Sequence, residues 1–261
     1  MNREIIESIL TGYSSISLAE MSGLRLMNRV DTKYSILLSL LPELLKRLKT
    51  DYYVQEINGL QISSYRTMYL DTIDRAMYLE HHNGRRVYEK IRVRSYVDSQ
   101  TSFLEVKDKN NKGRTKKKRI ELPEMKAYKQ QEAELFLEMN AKYPPDMLLP
   151  RLENSFHRIT LVSKTEAERV TIDMNLAFRN PSDGIESQLD DLAVIEIKQT
   201  RYMPSSAKGV LSDMHIRPIG FSKYCLGTIL TVPDVKRNRF KVKMIQLNKI
   251  IKLQYGFFTN D

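Results

Sequence analysis

Lysine and arginine at two-residue spacing are the groups in this 261-residue chain best suited to chemistry. In segment 88–96, Lys90, Arg92 and Arg94 alternate with Ile91 and Val93. Successive side chains of a strand face opposite ways, so one face would be apolar and the other cationic. The same parity sets Glu105, Lys107 and Lys109 against Leu104 and Val106, and Glu196 and Lys198 against Ile195 and Ile197. It also sets Arg169, Thr171 and Asp173 against Val170 and Ile172; Arg29, Asp31 and Lys33 share one parity, as do Phe156, Arg158 and Thr160. Guanidinium presents a planar fork of donors and ammonium a compact charge, and both suit phosphate oxygens. A merely solvated face would mix its signs to limit repulsion between neighbouring strands. Faces this cationic point inward to a shared polyanion, and the few interspersed acids suit a divalent cation that bridges its oxygens.

Such residues need strands to aim them and helices to cover the apolar sides. Between about Tyr52 and Leu122 the pattern is two-residue alternation, interrupted by a helical stretch near Asp74–His82 and by turns at Asn58-Gly59, Asn83-Gly84 and 110–113. Strands are expected again at 154–164, 168–178 and 192–199. The leucines from Leu37 to Leu48 predict a helix over 34–49, and others are expected at 125–142, 204–213, 222–230 and 238–255, with a loop at Pro144, Pro145 and Pro150. The fold class that follows is α+β: an eight-stranded antiparallel β-barrel tunnel with a basic interior, covered by helices, as one domain over 1–261.

Composition narrows the function classes. With 42 Lys+Arg against 32 Asp+Glu, the formal charge is +10, which favours an anionic partner. Cys225 is the single cysteine, so an intramolecular disulfide and a cysteine zinc site are excluded, as suits a reducing cytosol. No run approaches a membrane span, and a soluble cytoplasmic protein is expected. There is no GxxxxGK[ST] or GxGxxG loop for nucleotide phosphates, and no helix-turn-helix, zinc-finger or RNP pattern for specific nucleic acid. The four histidines lack ligand spacing, Cys225 reads as a packed thiol, and Lys109, Lys112 and Arg114 read as a solvated hairpin tip. Phe240, Met244, Leu247 and Ile251 give the last helix an apolar stripe beside Lys241, Lys243, Lys249 and Lys252, which reads first as core packing.

Six segments, in order, carry a family resemblance: RVDTKY from Arg29, MYLDT from Met68, KIRVRSY from Lys90, LEVK from Leu104, VIEIK from Val194 and GFSKY from Gly220. Together the chain resembles the VTC-type polyphosphate polymerase domain, a stand-alone bacterial form within the triphosphate tunnel metalloenzymes (CYTH-like). The resemblance implies transfer of the ATP γ-phosphate to a growing polyphosphate chain, with Mn²⁺ or Mg²⁺ held by Glu196. It implies catalytic roles for Arg92, Arg94, Lys107, Lys198 and Glu196, and substrate contacts from Lys33, Lys90, Lys117, Arg158, Arg169, Ser222 and Lys223. Lys117 lies in the run Lys116 to Arg119, where a one-residue slip would swap faces. Gly220 stands where eukaryotic members carry a basic residue, and Phe156 where they carry an aromatic hydroxyl; both departures bear on turnover more than on binding. ATP and polyphosphate are the implied partners, with room for a membrane-protein partner through which the protein would associate with a membrane. The alternatives are a tripolyphosphatase or nucleoside triphosphatase of the same superfamily, and a non-catalytic polyphosphate-binding protein.

Overall fold

A computed structural model of the protein describes residues 3–23, 30–110 and 115–251. Its elements run α1 (Arg3–Leu10), β1 (Ser15–Ser17), β2 (Val30–Leu37), α2 (Leu41–Leu48), β3 (Tyr52–Glu56), β4 (Ile62–Asp71), α3 (Ala76–His82), β5 (Tyr88–Tyr96) and β6 (Thr101–Lys109). They continue with β7 (Thr115–Leu122), α4 (Gln131–Asn140), β8 (Leu149–Ser163), β9 (Glu168–Arg179), β10 (Glu186–Leu189), β11 (Leu192–Gln199), α5 (Ser206–Asp213), α6 (Lys223–Thr231) and α7 (Lys241–Ile251).

Eight strands form one hydrogen-bonded path, β2-β11-β9-β8-β4-β5-β6-β7, with every neighbouring pair antiparallel. The short strands β1, β3 and β10 attach beside it and bring the sheet to eleven. The expected tunnel strands are therefore present, but the sheet curls without closing: among the described residues β2 and β7 end the path and are not paired. The segment before α6 bridges the flanks, because Ile219 N donates to Lys33 O on β2 at 2.9 Å and Lys90 Nζ on β5 donates to Ser222 Oγ at 2.9 Å.

Helices cover the convex side, as the apolar parities require. Ile36, Ile159, Leu161, Val170, Ile172, Ile195 and Ile197 pack with α1, α2 and α5. Met68, Leu70, Ile91, Val93, Leu104 and Val106 pack with α4 and the turn before it. In α2 all four of Leu41, Leu44, Leu45 and Leu48 are fully buried, each worth roughly 1.5–3 kcal/mol of apolar transfer. A third cluster lies on the concave side, where α6 and α7 pack against Leu152, Phe156, Phe178 and Val194. Gly227 permits that approach: a Cβ there would lie 2.4 Å from Phe178 Cδ1 and 2.7 Å from Leu152 Cδ2.

Two readings are corrected. Residues 34–37, expected to begin a helix, complete β2, whose eight residues pair with β11 from Leu192↔Leu37 to Gln199↔Val30. A ladder to a neighbouring strand outweighs the local leucine spacing, and the helix starts only at Leu41, with Pro42 in its first turn. Pro150, placed in a loop, is the second residue of β8; the start of a strand tolerates a residue without an N–H. Helix α1 and strands β1 and β10 lay outside the sequence reading. Lys112, Arg114, Arg29, Lys252 and most of the turn at 110–113 lie outside the described residues.

Candidate functional site: a cationic concave face

Strand register assembles the cations into cross-strand rows. Lys90 faces Lys107, which faces Lys117; Arg92 faces Glu105, which faces Arg119; Arg94 faces Phe103. On the other flank Lys198 lies between Asp31 and Arg169, Glu196 lies between Lys33 and Thr171, and Arg158 faces Asp173. All of these share the concave face. The one-residue ambiguity at Lys117 resolves inward, where its ammonium pairs with Glu105; Lys118 turns outward to Asn140 on α4 at 2.6 Å. Every site residue expected from the sequence within β2, β5, β6, β7, β8, β9 and β11 is brought to this face.

Three carboxylates tie the cations together. Glu105 Oε2 accepts from Arg92 Nε at 2.7 Å and pairs with Arg92 Nη2 at 2.6 Å. Asp173 accepts from Arg158 Nε and Nη2 at 2.5 and 2.8 Å and from Lys223. Glu196 pairs with Lys33 at 3.3 Å and with Lys198. Burial pushes the Glu105 carboxyl up, but Arg92, Arg94 and Lys117 outweigh it and hold it down at about 2. Burial likewise opposes ionisation of Asp173 and Glu196; Arg158 with Lys223 in one case, Lys198 with Lys33 in the other, hold both well below the carboxylate range. Burial also depresses the Lys198 and Lys223 ammoniums. The carboxylate direction governs, because each acid faces two cations, and the pairs are ionised.

Ser222 and Lys223 reach the face from the start of α6. Asp71, fully buried, accepts from Met77 N and Tyr78 N at 3.0 Å each and from the Tyr224 hydroxyl. It thus fastens the first turn of α3 and of α6 together, so the MYLDT and GFSKY segments meet and orient Lys223. Cys225 is buried, with Sγ 3.1 Å from His81 Nδ1, as a packed thiol should be.

Sequence reasoning missed Tyr65. Its ring stacks on Phe156 at 5.1 Å and 5° between planes, and the guanidiniums of Arg158 and Arg94 lie 5.0 and 5.9 Å from its centroid. It brings an aromatic hydroxyl beside the position where Phe156 lacks one. The signal was the shared parity of Tyr65, Thr67 and Tyr69 in β4. Arg119, 4.5 Å above the Phe103 ring, was legible by the same rule.

The arrangement is built for anions. Lys90, Lys107 and Lys117 stand in one row, and like charges directly opposite one another disfavour the sheet unless a counter-charge joins them. Arg94 Nε is buried without a hydrogen-bond partner among the described residues, a cost that a phosphate oxygen would relieve. Lys90 is pushed down to about 8 by burial and then by Lys33, Lys107 and Arg92. A bound phosphate would restore the proton, so affinity for tripolyphosphate is expected to be complete below about pH 8 and to decline as pH rises through it, by up to tenfold per unit for this one lysine. Calorimetric titration across that range is expected to show the decline, and Lys90→Met to flatten it; a flat profile in the unaltered protein removes Lys90 from the site.

Among the described residues no three or more His, Cys, Asp or Glu side chains converge, so there is no all-protein metal cage. A hard cation bound here would have to bring phosphate oxygens with it and take a single carboxylate, such as Glu196, from the protein. No described helix is long and apolar enough to cross a membrane.

The VTC domain model matches residues 28–232, and the chain belongs to that family. No curated protein matches. Among solved structures, it is similar to a candidate adenylate cyclase from Vibrio parahaemolyticus (12% identity, TM-score 0.45, covering 77% of this chain and 98% of that one). Another is a candidate adenylate cyclase from Bacillus halodurans (15%, 0.46, 75% and 96%). A third is a candidate adenylyl cyclase from Hippeastrum described as having a dominant triphosphatase activity (14%, 0.46, 77% and 94%).

Proposed function

We propose that the protein is an ATP-dependent polyphosphate polymerase. The bond from the γ-phosphorus to its bridging oxygen breaks, a terminal oxygen of the acceptor chain bonds to that phosphorus, and ADP leaves with the bridging oxygen. Such transfer needs little covalent help from protein; positioning and countercharge carry it. Arg92, Arg94 and Arg158 supply forks of donors to phosphoryl oxygens. Lys33, Lys90, Lys107, Lys117, Arg169, Lys198, Ser222 and Lys223 hold the remainder of the nucleotide triphosphate and the chain. Mn²⁺ or Mg²⁺ at Glu196 would add charge neutralisation on the phosphate oxygens.

The observation that carries this reading over hydrolysis is the state of Glu105, Asp173 and Glu196, the carboxylates that tie the concave-face cations together. Each is engaged by lysine or arginine and is a weak base for that reason, as suits an acceptor phosphate already ionised at neutral pH more than a water needing deprotonation. The test is incubation with ATP and Mn²⁺, with and without pyrophosphate as primer, measuring long-chain polyphosphate and free phosphate. Polymer is the expected product; free phosphate without polymer makes the protein a triphosphatase, and neither product makes it a polyphosphate binder.

A further inference from the structure

A chain that grows beyond the concave face must leave it, and one end of that face continues into exposed basic surface. Tyr88, on β5, has Lys90 Nζ 5.3 Å and Lys109 Nζ 5.5 Å from its ring centroid. Its edge meets His81 at 5.0 Å, and His81 stacks on Phe240 at 6.1 Å, the residue that leads into α7. Burial, then Lys90, Lys243, Lys109 and Lys33, push the His81 imidazole down to about 3; α7 cations thus share this corner with cations of the concave face. The α7 helix also packs against β2.

Residues 235–251 hold four lysines and two arginines on the way to the end of α7 and no Asp or Glu. Met244 and Leu247 are buried, while Lys236, Arg239, Lys241, Lys243 and Lys249 are exposed. An eleven-residue helix extends the basic surface by roughly 16 Å. A strip of one sign repels itself and attracts a linear polyanion by counterion release.

We infer that the exposed basic face of α7 and the turn before it is an outer track for polyphosphate, engaging chains too long for the concave face alone. This rests on the polymerase reading, which supplies a lengthening product. Val242 and Ile245 are 68% and 49% exposed on the same helix, but two aliphatics without an exposed aromatic give a bilayer little to hold, and continuity with Lys90 and Lys109 favours the polymer.

The test compares tripolyphosphate with long-chain polyphosphate at fixed salt, in the unaltered protein and in Lys241→Gln/Lys243→Gln/Lys249→Gln. Long-chain affinity is expected to fall about tenfold or more with tripolyphosphate affinity unchanged, and the corresponding triple Lys→Arg variant to bind as the unaltered protein does. Equal loss for both ligands, or no loss for either, overturns the track. Loss of binding to phosphatidylserine-containing vesicles with long-chain affinity intact overturns it in favour of a membrane surface. Failure of the unaltered protein to bind tripolyphosphate sinks the underlying reading instead, which keeps the two failures distinct.

Discussion

Arg92→Ala is expected to lower the rate of polymer formation at least about a hundredfold, the usual scale for losing one donor to a developing oxyanion. It should also weaken the fold. Glu105 is 1% exposed, and losing both contacts from Arg92 leaves its carboxylate paired with Lys117. Removing one partner of a buried pair costs about 3–5 kcal/mol, and the surviving lysine reduces that. Because stability and rate change together, Arg92→Ala/Glu105→Gln separates them: urea denaturation should recover while polymer formation stays low. Arg92→Lys keeps the charge but not the fork, and an intermediate rate is expected. A wild-type rate in Arg92→Ala would remove this residue from the transfer step.

The second large effect is at Asp173, the acid shared by Arg158 and Lys223. The side chains of Arg158 and Lys223 are 15% and 16% exposed, and that of Asp173 5%, so water screens the three groups poorly. Asp173→Asn removes the countercharge between two half-buried cations, and a loss of about 3–5 kcal/mol is expected without ligand. The same cations then face an incoming phosphate with no internal competitor. Tripolyphosphate should therefore raise the melting temperature of Asp173→Asn more than that of the unaltered protein, since stabilisation by a ligand follows its affinity for the folded state. An equal shift in the two proteins would place Asp173 outside the anion site.

What the sequence by itself determined is the side on which each charge stands. Alternation at Lys90, Arg92 and Arg94, and at Glu196 and Lys198, assigns faces because a pleat has a period of two whatever it later packs against. The covering helices were legible for a similar reason, since Leu41, Leu44, Leu45 and Leu48 mark one helical face. The extent of β2 was not, because Tyr34–Leu37 reads as either element until β11 offers it a ladder. Nor could parity say which strands are neighbours. That Lys90, Lys107 and Lys117 fall in one row, that Glu105 claims Arg92, and that Asp173 joins β8 to the start of α6 all depend on register between segments distant in the chain. The meeting of Asp71 with Tyr224, 153 residues apart, is of the same kind. Spacing along one strand sets the sign of a face, but cross-strand register and the docking of α6 set which charges touch, and that is where an anionic chain would be held.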